Sequence, residues 1–348
     1  MSEYLETIKK IHDSTFRFVL ISSGGGTNAI SEILKVPGAS NSVLEAYVPY
    51  AKESLDHYLL RQPDHYCSLD TTLSMAAKAY SAAKKIDTKT HPKKLLGIAV
   101  TASLATNYSK KGDHKFFIAI QTHKYSHSFS YQFTKGELSR DEEEAVVTKY
   151  IINALSGACG VNQGIQDETP NLRIEKVKAE KSWIKLVDNK IDYVSSSNHL
   201  PELIFPGSFN PFHSGHAEMS ELAQKKTGLS PAYEICIQNA DKPPLSYHEI
   251  QRTVLQFSQS YDWVLTKAGK FSDKAKLFPN SVFIIGADTL TRMLDERFYL
   301  NRKDMLDQLD LFNSHNINFL VFGRKIKDIF IRYYSHKICI ISVIFFIF

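Results

Sequence analysis

The fold of this chain is decided by one stretch, Leu203-Ile-Phe-Pro-Gly-Ser-Phe-Asn-Pro-Phe-His-Ser-Gly-His216. Its apolar start predicts a buried strand, the Gly and Pro residues after it predict a tight turn, and residues 217–226 predict a helix. His213 and His216 lie where the turn becomes the helix. A helix N-terminus presents unpaired N–H groups and a partial positive charge, so it stabilises a phosphate, and two imidazoles add directed donors. The stretch therefore predicts a phosphate-handling enzyme.

Length and composition favour two domains. The chain has 348 residues, of which 43% are hydrophobic, enough for a core in each of two ordinary domains. Its net charge of +5 is spread along the chain, which suits anionic metabolites better than nucleic acid. The 4 cysteines are far apart, so they indicate neither a zinc site nor a disulfide framework. We expect a protein of the reducing cytosol that binds no nucleic acid and holds no metal site of its own, with a nuclear location left open.

Neither end of the chain indicates a membrane segment. The N-terminus mixes acids with bases and lacks the apolar core of a secretory signal. Residues 338–348 are apolar, but a spanning helix needs about twenty such residues. Residues 325–348 show neither helical amphipathicity nor turn residues. We interpret them as an anomalous apolar tail, a truncated or misread end rather than native domain sequence.

A second strand, glycine turn and helix occur near the start. Residues 16–21 predict a strand, Ser22-Ser-Gly-Gly-Gly-Thr27 a turn, and residues 28–34 a helix. The spacing fits a dinucleotide-binding turn, but no acidic partner marks a ribose site, so a purely structural turn is an equal alternative. Further on, residues 140–155 predict a helix whose acidic start, residues 141–144, is interpreted as solvated surface. The alternation of strands and helices predicts a three-layer α/β domain over residues 1–161.

Four pieces of this first half resemble the competence-damage-inducible protein family, whose C-terminal domain is a nicotinamide mononucleotide deamidase in bacteria. They are Ser22 to Leu34, Val36-Pro-Gly-Ala-Ser40, Val48-Pro-Tyr50 and Gly97-Ile-Ala-Val-Thr101. The resemblance covers about residues 5–160 and implies a vestigial deamidase site at Ser22 and Tyr50. Leu55 stands where the family has a lysine, and the segment from Thr101 lacks the family's glycine and proline residues. A serine needs a base to attack an amide, so we expect a degenerate domain that serves folding or homo-oligomer formation.

Residues 162–200 read as a linker that contains one folded element. Asn162 to Pro170 is polar and broken by glycine and proline. Residues 182–187 and 190–194 flank the turn-prone pair Asp188-Asn189, which predicts a β-hairpin.

The second half resembles the H-x-G-H nucleotidylyltransferase superfamily, which has a Rossmann-like parallel sheet. The motif Gly207-Ser-Phe-Asn-Pro211 is most similar to the corresponding motif of nicotinamide mononucleotide adenylyltransferases. Later pieces agree with that choice, namely Lys242-Pro-Pro-Leu245, Arg252, Ile284-Ile-Gly-Ala-Asp-Thr289 and Asn318-Phe-Leu-Val-Phe-Gly-Arg324. The resemblance implies a nucleotidylyltransferase domain over residues 201–324.

The resemblance also implies a reaction and a set of residues. Such enzymes join ATP, carried with Mg²⁺, to nicotinamide mononucleotide, giving NAD and pyrophosphate without a covalent enzyme intermediate. His213 and His216 would be catalytic, and the substrate-binding residues would be Gly207, Ser208, Phe209, Lys242, Asp288 and Arg324. For Asp288 the alternative is a helix N-cap, a position that aspartate favours.

One family element is missing from the sequence. The family carries an Ile-Ser-Ser-Thr-x-Ile-Arg element that grips the triphosphate from the opposite side, and no such element follows Arg324. We therefore expect a truncated domain and keep two alternatives. One is another transferase of the superfamily, a cytidylyltransferase or a phosphopantetheine adenylyltransferase. The other is a catalytically impaired nucleotide-binding protein.

Overall fold

The computed structural model describes residues 4–108, 110–165, 169–239, 242–257 and 260–323, and the backbone of Ser342–Ile347. The chain divides into two compact units. The first consists of Met1–Ile184 with Ala240–Gln251, and the second of Lys185–Asn239 with Arg252–Phe348. Within the described ranges no helix is long and apolar enough to cross a bilayer. Both units combine helices with a mostly parallel or mixed sheet, so the predicted α/β class is confirmed.

The first unit is built on a mixed sheet. Its strands are β1 (Arg17–Ser23), β2 (Val43–Tyr47), β3 (Leu95–Ser103), β4 (Lys115–Gln121), β5 (Tyr125–Gln132) and β6 (Leu172–Lys178), in the order β2-β1-β3-β4-β5-β6. Strand β1 pairs in parallel with β2 and β3, and the pairs from β3 to β6 are antiparallel. Its helices are α1 (Leu5–His12), α2 (Thr27–Leu34), α3 (Ala39–Ser42), α4 (Lys52–Leu59), α5 (Leu69–Ile86) and α6 (Arg140–Ala158), with a 3₁₀ turn at Pro92–Lys94.

Helices α5 and α6 pack on the sheet for reasons that the sequence contains. Helix α5 is rich in alanine, and at Gly97 of β3 an added Cβ would lie 2.2 Å from the backbone nitrogen of Tyr80. Glycine is therefore required for this close approach of helix and strand. Helix α6 begins with a capping box in which Ser139 and Glu142 satisfy each other's backbone N–H groups. Helix α6 begins where the sequence predicts it.

The predicted hairpin at residues 182–194 is wrong. Lys181–Val187 forms a helix, α7, and Tyr193–Ser195 forms a strand, β7, which pairs with a later strand instead. Trp183 and Leu186, three positions apart, are both buried, which is the spacing of a helix face rather than of a strand. The turn itself is present, since Asn189 has a positive φ of 56°.

The second unit is an open sheet with parallel strands in its centre. After β7 come β8 (Leu203–Pro206), β9 (Pro231–Cys236), β10 (Asp262–Thr266), β11 (Val282–Gly286), β12 (Asn318–Gly323) and β13 (Ser342–Ile347), in the order β13-β12-β11-β8-β9-β10-β7. The helices are α8 (Ser214–Thr227), α9 (Tyr247–Leu255), α10 (Phe271–Leu277), α11 (Ala287–Met293) and α12 (Arg302–Ser314), with a 3₁₀ turn at Glu296–Phe298. All pairs are parallel except β7 with β10. This confirms the predicted Rossmann-like sheet.

Part of the predicted apolar tail belongs to this sheet. The backbone of β13 pairs in parallel with β12, from Asn318 opposite Ser342 to Gly323 opposite Ile347. Residues 324–341, and with them Arg324, lie outside the described residues. The interpretation of the tail as non-native sequence stays a prediction.

Candidate functional site

The strand order places one stretch of the second unit at a switch point of the sheet. Going outward from β8, the chain adds β9 and β10 on one side and β11 and β12 on the other. In open α/β sheets, ligands bind outside the carboxyl ends of the strands where the order reverses in this way. The segment after β8 is the turn from Gly207 to His213, and the segment after β11 leads into Asp288. The two segments that the sequence singles out thus follow adjacent strands at the switch point.

A backbone hydrogen bond to the sheet holds the turn after β8. The Gly207 N–H donates to the carbonyl of Glu234 at 3.0 Å, which continues the pairing of β8 with β9. Phe209 is 2% exposed, has a positive φ of 43°, and folds its ring under Gly207. A Cβ at Gly207 would lie 2.5 Å from Cζ of that ring, so only glycine fits. Because its own N–H is used in the sheet, Gly207 cannot donate it to a phosphate.

Gln256 clamps the same turn from the side. Its amide Nε2 donates to the carbonyl of Phe209 at 3.0 Å, and its Oε1 accepts from the N–H of Phe212 at 2.8 Å. One side-chain amide therefore satisfies two backbone groups three residues apart. Nothing in the sequence pattern around Gln256 indicates this role, since the contact joins positions 44 to 47 apart in the chain.

The two histidines lie against each other at the start of α8. Their rings are stacked, with centroids 3.7 Å apart and an angle of 25° between the planes. The His213 N–H donates to Nδ1 of His216 at 3.3 Å. Because Nδ1 of His216 accepts this bond, its neutral ring carries the proton on Nε2. His213 is exposed, and His216 is partly buried.

An aromatic cluster fixes the orientation of His216. Its ring packs edge-on against Phe209, with centroids 5.1 Å apart, and face-on against Phe212 at 5.6 Å. Tyr233 of β9 lies beneath, stacked on Phe257 at 4.7 Å. Burial raises the pKa of Tyr233 to about 12, so its hydroxyl stays neutral and donates to Ser220 of α8 at 2.8 Å. The histidine pair is therefore supported by a packed cluster of aromatic side chains.

Asp288 lies in the first turn of α11, directly after β11. The N-cap is Gly286, so the alternative assignment of Asp288 as the N-cap is wrong. Both Asp288 and Ser208 are exposed. A carboxylate in the first turn is favoured by the helix dipole, and Asp288 is available to hold a hydroxyl or a hydrated cation.

Lys242 is grouped with a different unit from the other predicted residues. It belongs to the Ala240–Gln251 segment, which is part of the first unit, whereas His213, His216 and Asp288 belong to the second. Its side chain is exposed.

The described residues include no group of three or more His, Cys, Asp or Glu side chains that could hold a metal ion. The turn contains two imidazoles and the N-terminal N–H groups of α8. A magnesium ion that arrives with a nucleoside triphosphate keeps phosphate oxygens and water as its main ligands, so such donors are compatible with it.

In the first unit, Ser22 is not placed as a nucleophile. It is 0% exposed at the end of β1, and its hydroxyl donates to the carbonyl of Gly25 at 2.7 Å. Tyr50, the other residue of the predicted vestigial site, is 67% exposed. A nucleophilic serine donates its proton to a base, and here a backbone carbonyl takes that bond.

The glycine turn of the first unit binds an anion that is part of the protein. The carboxylate of Glu144 accepts from the N–H of Gly26 at 2.8 Å and from the N–H of Asn28 at 3.2 Å. The Thr27 hydroxyl also points to it, at 3.4 Å. A phosphate at a helix N-terminus would use the same donors. Glu144 therefore occupies the anion position of this turn.

The interpretation of the acidic run as solvated surface is wrong for two of its four members. Glu143 is 0% and Glu144 8% exposed. Glu143 accepts from the backbone N–H of Ala105 at 2.6 Å and lies 2.7 Å from Nδ1 of His114. A signal was present in the sequence, because Glu144 lies three and seven positions before the apolar Val147 and Ile151 and so shares their helix face.

Comparisons with known proteins address the two halves separately. Residues 204–328 match the family model described as cytidylyltransferase-like. No curated protein matches the chain.

The N-terminal region is similar to bacterial structures. A competence/damage inducible protein from Agrobacterium tumefaciens has a TM-score of 0.38 and 15% identity, over 45% of this chain and 96% of that one. Competence-damaged protein superfamily members from Escherichia coli (TM-score 0.36, 11% identity, 44% of this chain and 90% of that one) and Enterobacter cloacae (0.38, 14%, 46% and 94%) are also similar.

Proposed function

We propose that the second unit transfers an adenylyl group from ATP to nicotinamide mononucleotide, giving NAD and pyrophosphate. One observation carries the proposal. The turn that ends in His213-Ser-Gly-His216 follows the strand at the switch point of a parallel sheet, where nucleotides bind. The match of residues 204–328 to a cytidylyltransferase-like family supports nucleotidyl transfer. The choice of adenylyl donor and mononucleotide acceptor rests on the amino-acid sequence of the turn and on Lys242 and Asp288.

The donors for the triphosphate are assigned from the hydrogen bonds of the turn. The N–H groups of Gly207, Phe212 and His213 have partners within the protein. Ser214 and Gly215 are the first residues of α8, and N–H groups at this position have no partner inside the helix. Together with the exposed ring of His213 and the partly buried ring of His216, they form the proposed donor set for phosphate oxygens.

In the proposed reaction, a phosphate oxygen of the mononucleotide attacks the α-phosphorus of ATP in line. The new bond joins that oxygen to phosphorus, the bond to the bridging α–β oxygen breaks, and pyrophosphate leaves with the electron pair. Positioning and charge neutralisation supply most of the rate in such reactions. His213 and His216 would stabilise negative charge on the α-phosphoryl oxygens as it develops. Asp288, and in our proposal Lys242 and Arg324, would hold the nucleoside and phosphate of the substrates.

Product analysis tests the proposal. The protein is incubated with Mg²⁺, with ATP or CTP as donor and with nicotinamide mononucleotide or phosphopantetheine as acceptor, and products are identified by mass. We expect NAD and pyrophosphate from ATP with the mononucleotide. A product from another pair would assign the protein to a different transferase of the superfamily.

Removal of both histidines tests their role. We expect His213→Ala with His216→Ala to lower NAD formation by about a hundredfold or more, the usual cost of losing oriented donors to a developing charge. The control is His199→Ala, which removes an exposed imidazole of the same unit. An unchanged circular dichroism spectrum shows that the double variant folds. Equal NAD formation in the double variant and the control would refute the assignment.

A second candidate is a nucleotide-binding protein without turnover. Calorimetric binding of ATP with no pyrophosphate release from any pair would support it.

A further inference from the structure

Residues 242–251 belong to one part of the chain by sequence and to another by packing. They lie between β9 and β10, inside the span matched by the cytidylyltransferase-like family. The structure nevertheless groups them with the first unit. Ser246, Tyr247 and Ile250 are 0%, 2% and 1% exposed. The segment is therefore a packed part of the first unit and not a loop in solvent.

Strand β5 holds the segment through His248. The Ser126 hydroxyl lies 2.6 Å from Nδ1 of His248, and the Ser128 hydroxyl lies 3.2 Å from Nε2. The backbone N–H of His248 also donates to Ser126, at 3.1 Å. Alternate residues of a strand share a face, so the two serines lie side by side and meet both nitrogens of one ring. We call Ser126 and Ser128 the serine seat.

The residues beside His248 are held as well. The Tyr247 hydroxyl donates to the carbonyl of His123 at 2.9 Å, and its ring stacks on Trp183 with centroids 6.3 Å apart. Glu249 accepts from the N–H and hydroxyl of Ser246, both at 2.8 Å, and the Ser74 hydroxyl lies 3.3 Å from it. The hydroxyl, imidazole and carboxylate groups of this buried segment all have partners. These partners favour one conformation of the segment.

We propose that the first unit acts in cis as an ordering surface for residues 242–251, with the serine seat as its centre. A segment that is already held loses little conformational entropy when it makes a further contact. The role suits a first unit whose Ser22 is buried and whose glycine turn holds Glu144.

Hydrogen exchange on the whole chain tests the seat. Ser126→Ala with Ser128→Ala leaves both ring nitrogens of His248 without their serine partners, and loss of partners for a buried polar group favours local opening. We expect amide exchange over residues 246–251 to become about tenfold faster. Ser130→Ala is the matched control, because Ser130 lies on the same face of β5 and is not a partner of His248 in any bond named above. Unchanged exchange over residues 246–251 in the double variant would overturn the proposal.

Discussion

At the scale of single residues, Glu144 shows how a side chain can replace a ligand. It is 8% exposed and its carboxylate accepts two backbone N–H groups of the glycine turn. A sequence pattern of strand, glycine turn and helix indicates only that an anion fits there. It does not say whether the anion is a phosphate or a glutamate from elsewhere in the chain.

Glu144→Ala should destabilise the first unit. The change leaves the N–H groups of Gly26 and Asn28 without their acceptor, and a lost hydrogen bond to a charged group costs about 2 kcal/mol. The free energy of unfolding is measured in urea, with fluorescence as the probe. Asp141→Ala is the control, since Asp141 is exposed in the first turn of the same helix. Equal unfolding free energies for the two variants would show that the carboxylate does not stabilise the turn.

At the scale of elements, the turn after β8 is positioned by its neighbours more than by its own sequence. The sheet holds Gly207 through Glu234, and Gln256, just beyond the end of α9, holds Phe209 and Phe212. The histidine pair follows directly in the chain. Its geometry therefore depends on an amide that is distant in sequence.

Gln256→Glu should impair the proposed reaction more than the fold. A carboxylate can still accept from Phe212 but cannot donate to the carbonyl of Phe209, so that carbonyl faces a negative charge. We expect kcat/KM for NAD formation to fall about tenfold, as for a modest displacement of positioned groups. The matched control is Gln251→Glu, an exposed residue of α9, the helix that precedes Gln256. If both variants keep wild-type kcat/KM, the clamp does not position the histidines.

Helix α7 could not be predicted from the local sequence alone. The segment Ser182-Trp-Ile-Lys-Leu-Val187 has an apolar pattern that fits a strand or a helix, and a short apolar run does not separate the two. Burial of Trp183 and Leu186 on one face decides for the helix. The burial depends on residues that the local sequence does not contain.

At the scale of the whole molecule, the two units contribute unequally to the proposed chemistry. The second has the strand order and the turn of a nucleotide-binding sheet. In the first, the Ser22 hydroxyl is bonded to a backbone carbonyl in the core. We expect any chemistry of the chain to come from the second unit.

A Ser22→Ala variant tests this division. Ammonia release from nicotinamide mononucleotide is followed with a coupled dehydrogenase assay, and NAD formation is measured in parallel. We expect no ammonia from the wild-type chain above the uncatalysed rate, and equal NAD formation by both proteins. Ammonia release by the wild type that is lost in Ser22→Ala would show that the serine is active and the division wrong.

The sequence by itself determined the α/β class, the Rossmann-like sheet and the place of the histidine turn. These follow from periodicity, glycine position and short motifs, which act between neighbours in the chain. Only the tertiary structure decided that Glu144 fills the first glycine turn, that Gln256 clamps the second, and that residues 242–251 pack on β5. The groups in two of these contacts are 118 and 122 positions apart, and which distant groups meet depends on how the whole core packs.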